Sequence, residues 1–299
     1  MSGPARGKPV KRLALSLLLL SVVAVWGWTF VLVKDAIAGY GVVSFLAVRY
    51  VIATAALGLV AARRANRRSL KTGGLIGIAL AAAYLFQTFG LRHTTASNTG
   101  VITGLFVVFA PLANRLLFGV RTEPLAWAAI GLSVFGLALL SGAAPGGVAL
   151  GDVLTLGAAA GFGLHVALLD RYARHHDASA LALGQLAGAA VIFLAACPLV
   201  ERVAWPTARV WFALAVTGVL ATAIAFHVQT YVQQRLPAVQ TAMIIVMEPL
   251  FAAFFGYLLA GDRLTGLQIL GALLMTGAAI AAEVYPLVRR AARCQGMAP

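Results

Sequence analysis

Residues 83–89 read AYLFQTF and residues 225–231 read AFHVQTY, and this pair of stretches indicates how the chain is built. Three of the seven positions are identical, and two more exchange Tyr for Phe. Each stretch is followed within six residues by an Arg and a tight turn, and then by an apolar run with a central proline, Pro111 in one case and Pro249 in the other. The shared neighbourhood predicts an internal repeat.

The composition places this repeat in a membrane protein. Of the 299 residues, 61% are hydrophobic and only 11% are charged, whereas about 25% charged residues are usual in soluble domains. A soluble domain of this size could not bury so much apolar surface. Roughly 20 apolar residues cross the hydrocarbon core of a bilayer as one helix, and the chain divides into ten such runs. The predicted spans, numbered 1 to 10 in chain order, are 13–33, 42–62, 71–91, 96–119, 124–143, 150–172, 179–200, 207–231, 238–259 and 264–285.

The spacing of the repeat predicts its geometry. The two stretches lie in spans 3 and 8, so the period is five spans, and because five is odd the second copy must cross the membrane in the opposite direction. The sequence therefore predicts an all-α integral membrane protein of ten transmembrane helices, built as two inverted five-helix repeats around a central cavity, as in many secondary transporters. The predicted repeats are residues 1–145 and 146–299, and they can be aligned with Lys34 over Asp170.

The basic residues predict the orientation. If the ten spans alternate in direction, 17 of the 23 Lys and Arg residues lie on one side of the membrane, and basic connections stay in the cytoplasm. Both termini are therefore predicted to be cytoplasmic, in a multi-pass protein of the bacterial inner membrane. Span 1, residues 13–33, is predicted to be an uncleaved helix because its apolar run is longer than that of a secretion signal.

Pro111 and Pro249 lie near the middle of spans 4 and 9. Proline removes one backbone hydrogen bond and kinks a helix, and a carbonyl freed in hydrocarbon needs a partner or water. The matched prolines predict kinked helices that face the cavity and take part in gating. The alternative is a pair of static kinks whose carbonyls are satisfied by packing.

Four ionisable residues of the predicted spans are candidates for a buried functional or structural role. A charge at this depth costs about 3 kcal/mol on insertion scales. Three roles are open for Glu248: binding a substrate or a proton, forming a buried ion pair with Arg49, or hydrogen-bonding the freed backbone as a neutral acid. For Arg49, too, a functional and a structural role are both open. His165 and His227 could carry a proton in coupled transport, or could be polar lining or interhelical hydrogen-bond donors.

Polar side chains concentrate on spans 3, 4, 8 and 9. Tyr84, Gln87 and Thr88 share one helix face at i, i+3, i+4 spacing, and polar side chains within a span usually turn toward the protein interior. Spans 1, 3, 4, 6, 8 and 9 are predicted to wall the cavity, and spans 5 and 10, which are nearly featureless, to be scaffold. The predicted cavity residues are Trp26, Thr29, Tyr84, Gln87, Asn98, Thr103, Phe106, His165, His227 and Gln229.

Other features argue against other classes of protein. The net charge of +14 sits at the ends of the apolar runs, so nucleic-acid binding is not predicted. Zinc-protease, nucleophile-elbow and phosphate-loop motifs are absent from the sequence, so no enzymatic activity, catalytic residue, metal or cofactor is predicted. Glycine spacings such as Gly73/Gly77 and Gly184/Gly188 predict close helix packing within one chain, which favours a monomer or weak dimer.

Two motifs give the sequence a family resemblance. Residues 26–30 read WGWTF, and residues 248–253 read EPLFAA with Gly261-Asp262 following. The sequence resembles the EamA type of the drug/metabolite transporter superfamily over almost its whole length, and within it YddG-like exporters of aromatic and other neutral amino acids. The resemblance implies ten helices in two inverted halves and export of small metabolites. Trp28 stands where the family usually has a small residue or Asn, so the cavity is expected to be reshaped.

The combined expectation is a secondary transporter that exports small metabolites, above all aromatic and neutral amino acids, by alternating access through a lipid bilayer. The alternatives are a passive channel or facilitator and a membrane-embedded transferase, which would need carboxylate clusters that nine scattered Asp and Glu residues hardly supply. The residues predicted to contact the substrate side chain are Trp26, Tyr84 and Phe106, and those predicted to meet its polar ends are Gln87, Asn98, His165 and Gln229.

Overall fold

Every regular element of the described chain is helical in the computed structural model. Residues 9–94, 96–141, 150–202, 204–255, 257–258 and 265–294 are described, without the side chains of residues 9–11, 64, 96–98, 140–141 and 282–294. The predicted repeat boundary at 145/146 and the motif residues Gly261 and Asp262 lie outside this part. The α-helices are α1 (Pro9–Ala38), α2 (Val42–Ala61), α3 (Arg67–His93), α4 (Ala96–Gly104), α5 (Phe106–Phe118), α6 (Pro124–Ser141), α7 (Leu150–Tyr172), α8 (Ala178–Val200), α9 (Ala208–Gly218), α10 (Ala225–Gln233), α11 (Ala238–Ile245), α12 (Glu248–Phe255) and α13 (Gly266–Cys294).

Eight helical runs in the described residues are long and apolar enough to cross a membrane. They correspond to predicted spans 1–4 and 6–9. Spans 5 and 10 coincide with shorter apolar helices, Pro124–Leu139 and Gly266–Ala281. The prediction of a multi-pass, all-helical membrane protein is therefore confirmed, while the count of ten spans remains a prediction.

Side-chain caps fix several helix starts more sharply than hydropathy does. The Asn66 side chain accepts a hydrogen bond from the Ser69 amide at 2.8 Å, and Asp177 accepts one from the Ala180 amide at 3.0 Å. An Asn or Asp at this position satisfies an amide that has no partner within the helix. Helix α3 consequently begins at Arg67, four residues before the predicted start of span 3.

Predicted spans 4 and 9 are both broken helices. The break between α4 and α5 is at Leu105, and the break between α11 and α12 is at Val246 and Met247. Short-range turn bonds replace the helical ladder at each place, from Leu105 N to Ile102 O and from Met247 N to Ile244 O. The first break lies more than one turn before Pro111, which is inside α5.

The kink predicted at Pro111 stays a prediction, because the break at Leu105 comes before Val107, whose carbonyl the proline leaves free. Pro249 lies in the first turn of α12, directly after a break. Proline is tolerated there because the first amides of a helix have no intrahelical acceptor.

Predicted span 8 contains a π-helical segment, Val219–Ile224, between α9 and α10. Such segments leave backbone carbonyls available for other partners and are common at functional sites. Thr222 Oγ1 donates at 2.8 Å to the carbonyl oxygen of Thr217, five residues earlier. The sequence was expected to form a regular helix here, and the π-helical segment is a finding of the structure.

Helices α1 and α7 cross the bundle in opposite directions. Lys34, near the end of α1, hydrogen-bonds the carbonyl oxygen of Thr94, and Thr94 Oγ1 donates at 2.8 Å to Asp152 at the start of α7. The end of α1 and the beginning of α7 therefore lie at the same end of the bundle. Around them, α3 packs against α7 and α8, α2 packs against α8, and α6 pairs with α13.

Two glycines allow the first helix of each predicted repeat to approach a helix of the other repeat. A β-carbon at Gly27 in α1 would lie 2.7 Å from Phe251 Cβ and 2.8 Å from Ala252 N in α12. A β-carbon at Gly163 in α7 would lie 2.5 Å from Phe109 Cβ and 2.8 Å from Ala110 N in α5. All four distances are far below van der Waals contact, so only glycine fits at either position without a shift of the neighbouring helix.

The glycine spacings of span 3 and span 7 also serve helix packing inside the chain. A β-carbon at Gly73 in α3 would lie 2.3 Å from the carbonyl oxygen of Leu181 in α8, and one at Gly184 would lie 2.5 Å from that of Leu70. Small residues at such positions let two backbones approach closely.

Candidate functional site

A central cavity lies between helices from both predicted repeats. It has two adjoining parts, which share Trp26, Tyr84, Gln87 and Glu248 as lining residues. The part that contains His165, here called the His165 part, holds about 420 Å³ of space between atoms, including space open to solvent. The part that contains Arg49, here called the Arg49 part, holds about 350 Å³ on the same definition.

Most of the residues predicted for the cavity lie on it. The His165 part is lined by α1, α3, α4, α5, α7, α10, α11 and α12, which come from the six spans predicted to form the wall. The predicted residues in it are Trp26, Tyr84, Gln87, Thr103, Phe106, His165, Gln229 and Glu248. Thr29 and Arg49 line the Arg49 part.

Two predicted residues stand apart. His227 does not line either part of the cavity, because it lies two residues before Gln229 on α10 and a helix turns roughly 200° over two residues. The side chain of Asn98 lies outside the described residues. Pro249 packs close to the cavity wall, with its Cγ 3.5 Å from a β-carbon placed at Gly104.

The wall of the His165 part is largely aromatic. Tyr84 is at its centre, with its ring centroid 5.1 Å from that of Phe162 and 6.0 Å from that of Phe226. The ring centroids of Trp26 and Phe226 are 5.6 Å apart. The edge-to-face arrangements are those that aromatic quadrupoles favour. Phe162 was not predicted, because nothing distinguishes one Phe from the others in an apolar span. Phe226 was not predicted either, although it is the counterpart of Tyr84 in the repeated stretch.

His165 is held by an interhelical hydrogen-bond network. Its Nε2 atom lies 2.7 Å from Gln185 Oε1 in α8, and Gln185 Nε2 donates to Thr230 Oγ1 at 3.1 Å. Because an amide oxygen only accepts, Nε2 of His165 carries the proton and Nδ1 is left as the acceptor. Gln185 was not predicted as a site residue, although a glutamine in an apolar span was a usable signal.

Replacing Gln185 with Leu is expected to destabilise the protein. The substitution keeps the side-chain volume but leaves His165 and Thr230 without their interhelical partner, and such bonds contribute about 0.6–1.7 kcal/mol each in membrane proteins. Thermal unfolding in detergent should show a lower midpoint for Gln185→Leu than for the wild type. Thr276→Ala, which removes a bond within one helix, is the control and should leave the midpoint nearly unchanged. An unchanged midpoint for Gln185→Leu would contradict this account.

The π-helical segment binds two cavity residues. Trp26 Nε1 donates at 2.7 Å to the carbonyl oxygen of Ala221. Arg49 Nε donates at 2.7 Å to Thr222 Oγ1. One residue from α1 and one from α2 are therefore positioned by the irregular backbone of predicted span 8. This arrangement follows from the carbonyl and hydroxyl groups that a π-helix leaves available.

Amide side chains supply further polar groups. Gln87 Nε2 donates to Thr103 Oγ1 at 3.2 Å, which links α3 to α4. Gln229 Nε2 donates to Gln233 Oε1 at 3.1 Å, whereas the buried Gln229 Oε1 atom has no hydrogen-bond partner. An unpartnered buried acceptor is costly, and this one belongs to a cavity-lining residue.

Glu248 is common to both parts of the cavity. It lies in the first turn of α12, where the free amides and the helix dipole favour negative charge. Within the described residues its carboxylate makes no hydrogen bond and no salt bridge, so the buried ion pair with Arg49 considered from the sequence is not formed at contact distance. Its oxygens therefore remain available to a ligand.

Two charged side chains tie helix ends together at opposite ends of the cavity. Lys34 in α1 donates to the carbonyl oxygens of Leu91, at 3.2 Å, and Thr94, where α3 ends. Asp170 in α7 accepts from the Ala238 amide at 3.2 Å, where α11 begins, and from Asn114 Nδ2 at 3.5 Å. Lys34 and Asp170 are the two residues that the sequence alignment of the halves pairs. We call these contacts the Lys34 clasp and the Asp170 clasp.

No group of three or more His, Cys, Asp or Glu side chains suited to a metal ion occurs in the described residues. The lining of the cavity is instead aromatic and amide-rich, with one guanidinium and one carboxylate. Such a lining suits a small organic ligand with few polar groups.

Comparisons with known proteins agree with a transporter fold. A solved crystal structure superimposes with a TM-score of 0.76 at 19% identity, covering 91% of this chain and 98% of that one. An uncharacterized transporter of Archaeoglobus fulgidus is 32% identical over 281 residues, 93% of this chain and 88% of that protein. The threonine/homoserine exporter RhtA of Salmonella typhimurium is 30% identical over 120 residues, 40% of each chain.

The family model for the EamA-like transporter family matches the chain twice, at residues 13–142 and at residues 149–282. The two matched segments divide the chain almost where the sequence repeat does, and together they span nearly all of it. The protein therefore belongs to the EamA-like transporter family.

Proposed function

We propose that this protein is a secondary transporter that exports small metabolites, with aromatic and neutral amino acids as its substrates, by alternating access across the bacterial inner membrane. The observation that carries the proposal is the central cavity, because residues of both family-matched segments line it. Trp26, Tyr84 and Gln87 come from the first segment, and His165, Gln229 and Glu248 from the second. A site between two such units can open to either side when the units rock.

Four observations support ten helices in two inverted repeats. The same family model matches two consecutive segments. Helices α1 and α7 run in opposite directions, and each approaches a helix of the other segment through a glycine, Gly27 or Gly163. The clasps of Lys34 and Asp170 close turns at opposite ends. Together with the distribution of basic residues, this organisation supports cytoplasmic termini and a monomer or weak dimer.

Two observations support an amino-acid substrate. The aromatic wall around Tyr84 suits a planar or apolar side chain. The partial likeness to a protein named as a threonine/homoserine exporter suggests that small neutral amino acids belong in the same test.

Counterflow in liposomes tests the proposal. Purified protein is reconstituted into vesicles loaded with unlabelled phenylalanine or threonine, and labelled amino acid is added outside. The wild type is expected to accumulate label transiently above its equilibrium level, because a carrier exchanges substrate through one alternating site. A passive channel gives no such overshoot, and protein that moves no amino acid under any gradient would overturn the proposal.

Gln87→Leu and Ser21→Ala serve as matched variants in this assay. Gln87 lines both parts of the cavity, so its loss should slow counterflow by about tenfold, the size of one hydrogen bond to a charged group. Ser21 is exposed and bonds only to its own helix, so Ser21→Ala should transport at the wild-type rate.

A further inference from the structure

The Arg49 part of the cavity contains a basic and an acidic side chain that form no contact ion pair. Arg49 comes from α2 and Glu248 from the first turn of α12, and both line this part. No salt bridge joins them in the described residues. A buried acidic or basic group that lacks a full set of partners is costly at membrane depth, so a ligand, water or an ion can complete the arrangement.

The guanidinium of Arg49 is held in place by Thr222 and Tyr84. Nε donates to Thr222 Oγ1 at 2.7 Å, the guanidinium carbon lies 5.0 Å from the Tyr84 ring centroid, and the two side chains also have a polar contact. Within the described residues the terminal nitrogens Nη1 and Nη2 have no polar partner other than Tyr84, and Arg49 is 4% exposed. A guanidinium fixed in this way presents two parallel N–H groups, the geometry that binds a carboxylate.

Hydrogen-bond acceptors without a donor lie at and beside Glu248. Its carboxylate has no hydrogen-bond donor within the described residues, and Gln229 Oε1, which belongs to the His165 part beside it, has none either. An ammonium group has three donors and no acceptor. Glu248 and Gln229 together can therefore satisfy a primary ammonium, while the aromatic wall receives an apolar side chain.

We propose that Arg49 binds the carboxylate of the substrate and that Glu248, with Gln229, binds its ammonium group, so that the cavity selects zwitterions over singly charged molecules. This inference rests on the proposed function and assigns the recognition of charge to named residues. A zwitterion makes the net charge of the occupied site the same as that of the empty one, and it supplies each buried charge with a partner.

Three probes of one side chain separate the two roles. Phenylalanine carries both charges, N-acetylphenylalanine only the negative one, and phenylalaninamide only the positive one. Binding to purified protein in detergent is measured for the wild type and for Arg49→Gln, Arg49→Lys and Glu248→Gln, with the threonine series in parallel. Thermal unfolding of each variant shows that it is folded.

The expected pattern is crossed. Arg49→Gln should weaken phenylalanine and N-acetylphenylalanine by about tenfold or more, the loss of a charge-assisted hydrogen bond, and leave phenylalaninamide within about twofold. Glu248→Gln should weaken phenylalanine and phenylalaninamide and spare N-acetylphenylalanine. Arg49→Lys keeps the charge without the fork and should lie between Arg49→Gln and the wild type.

Equal weakening of all three probes by both variants would overturn the assignment, because a merely structural charge pair acts on every ligand alike. Should Arg49→Gln fail to fold, the comparison of Arg49→Lys with Glu248→Gln decides the same question. Amino-acid transport by the wild type without the crossed pattern overturns this inference alone, whereas the absence of transport overturns the proposed function as well.

Discussion

Replacing Gly27 or Gly163 with Leu is expected to abolish transport. A β-carbon at Gly27 would lie within 2.9 Å of three atoms of α12, two of them in the backbone, and one at Gly163 meets α5 in the same way. Rotation of the new side chain relieves neither clash, because the β-carbon itself is the source. The paired helices must separate by roughly 1 Å to restore normal contact. These contacts join the two halves beside the cavity, so counterflow should fall to the level of protein-free liposomes.

Gly131→Leu is the matched control for these two substitutions. Gly131 lies in an exposed position on α6, and a β-carbon there has no atom within 4 Å. The control should insert, unfold and transport like the wild type. Gly27→Ala introduces the same β-carbon 2.7 Å from Phe251 Cβ and should therefore impair transport as well. Correctly inserted Gly27→Leu protein that transports at the wild-type rate would show that α1 and α12 need not meet closely.

Removing the Asp170 clasp is expected to favour the conformation that is open at that end. In Asp170→Ala the Ala238 amide loses its capping carboxylate, a change that costs about 0.5–2 kcal/mol at a helix start. If the clasp forms only when that end is closed, the equilibrium shifts by about 2- to 30-fold toward the open state. Lys34→Met should shift the equilibrium in the opposite direction, because Lys34 bonds the end of α3 at the other end of the bundle.

Cysteine labelling measures this shift. Thr103, which lines the cavity, is changed to Cys in a protein whose Cys197 and Cys294 are replaced by Ala, and an impermeant maleimide is added to either face of oriented vesicles. The two clasp variants should raise the labelling rate from opposite faces. Arg174→Ala is the control, since its exposed pairing with Asp170 at 3.9 Å contributes little. Equal labelling of both clasp variants from both faces would show that the clasps do not act as gates.

Several polar residues that the sequence predicts for the cavity do line it, because the polar residues of an apolar span have few places to go. Tyr84, Gln87 and Thr103 are conspicuous against their neighbours, and burial away from lipid brings such side chains together. The same argument fails for His227, whose position only two residues from Gln229 on one helix turns it away from the cavity. Composition marks a polar residue but does not fix the face on which it lies.

Backbone irregularities are less visible in the sequence. Pro111 was the natural marker for a kink in predicted span 4, yet the helix breaks at Leu105, directly after Gly104, where glycine weakens a helix. Both broken helices come after a copy of the repeated stretch, and each breaks close to its third turn. The distance from the break to the following proline differs between them.

The π-helical segment also changes which residues of α9 and α10 lie on the same face. A π turn carries one residue more than an α turn, so the residues after Ile224 are rotated by roughly 100° from where a regular helix would place them. A helical wheel drawn through residues 208–233 would assign Gln229 to the wrong face. Alignments with relatives that have a regular helix at this point need a one-residue gap between Val219 and Ile224. Residues transferred into α10 from such a relative should be matched by their distance from Gln229.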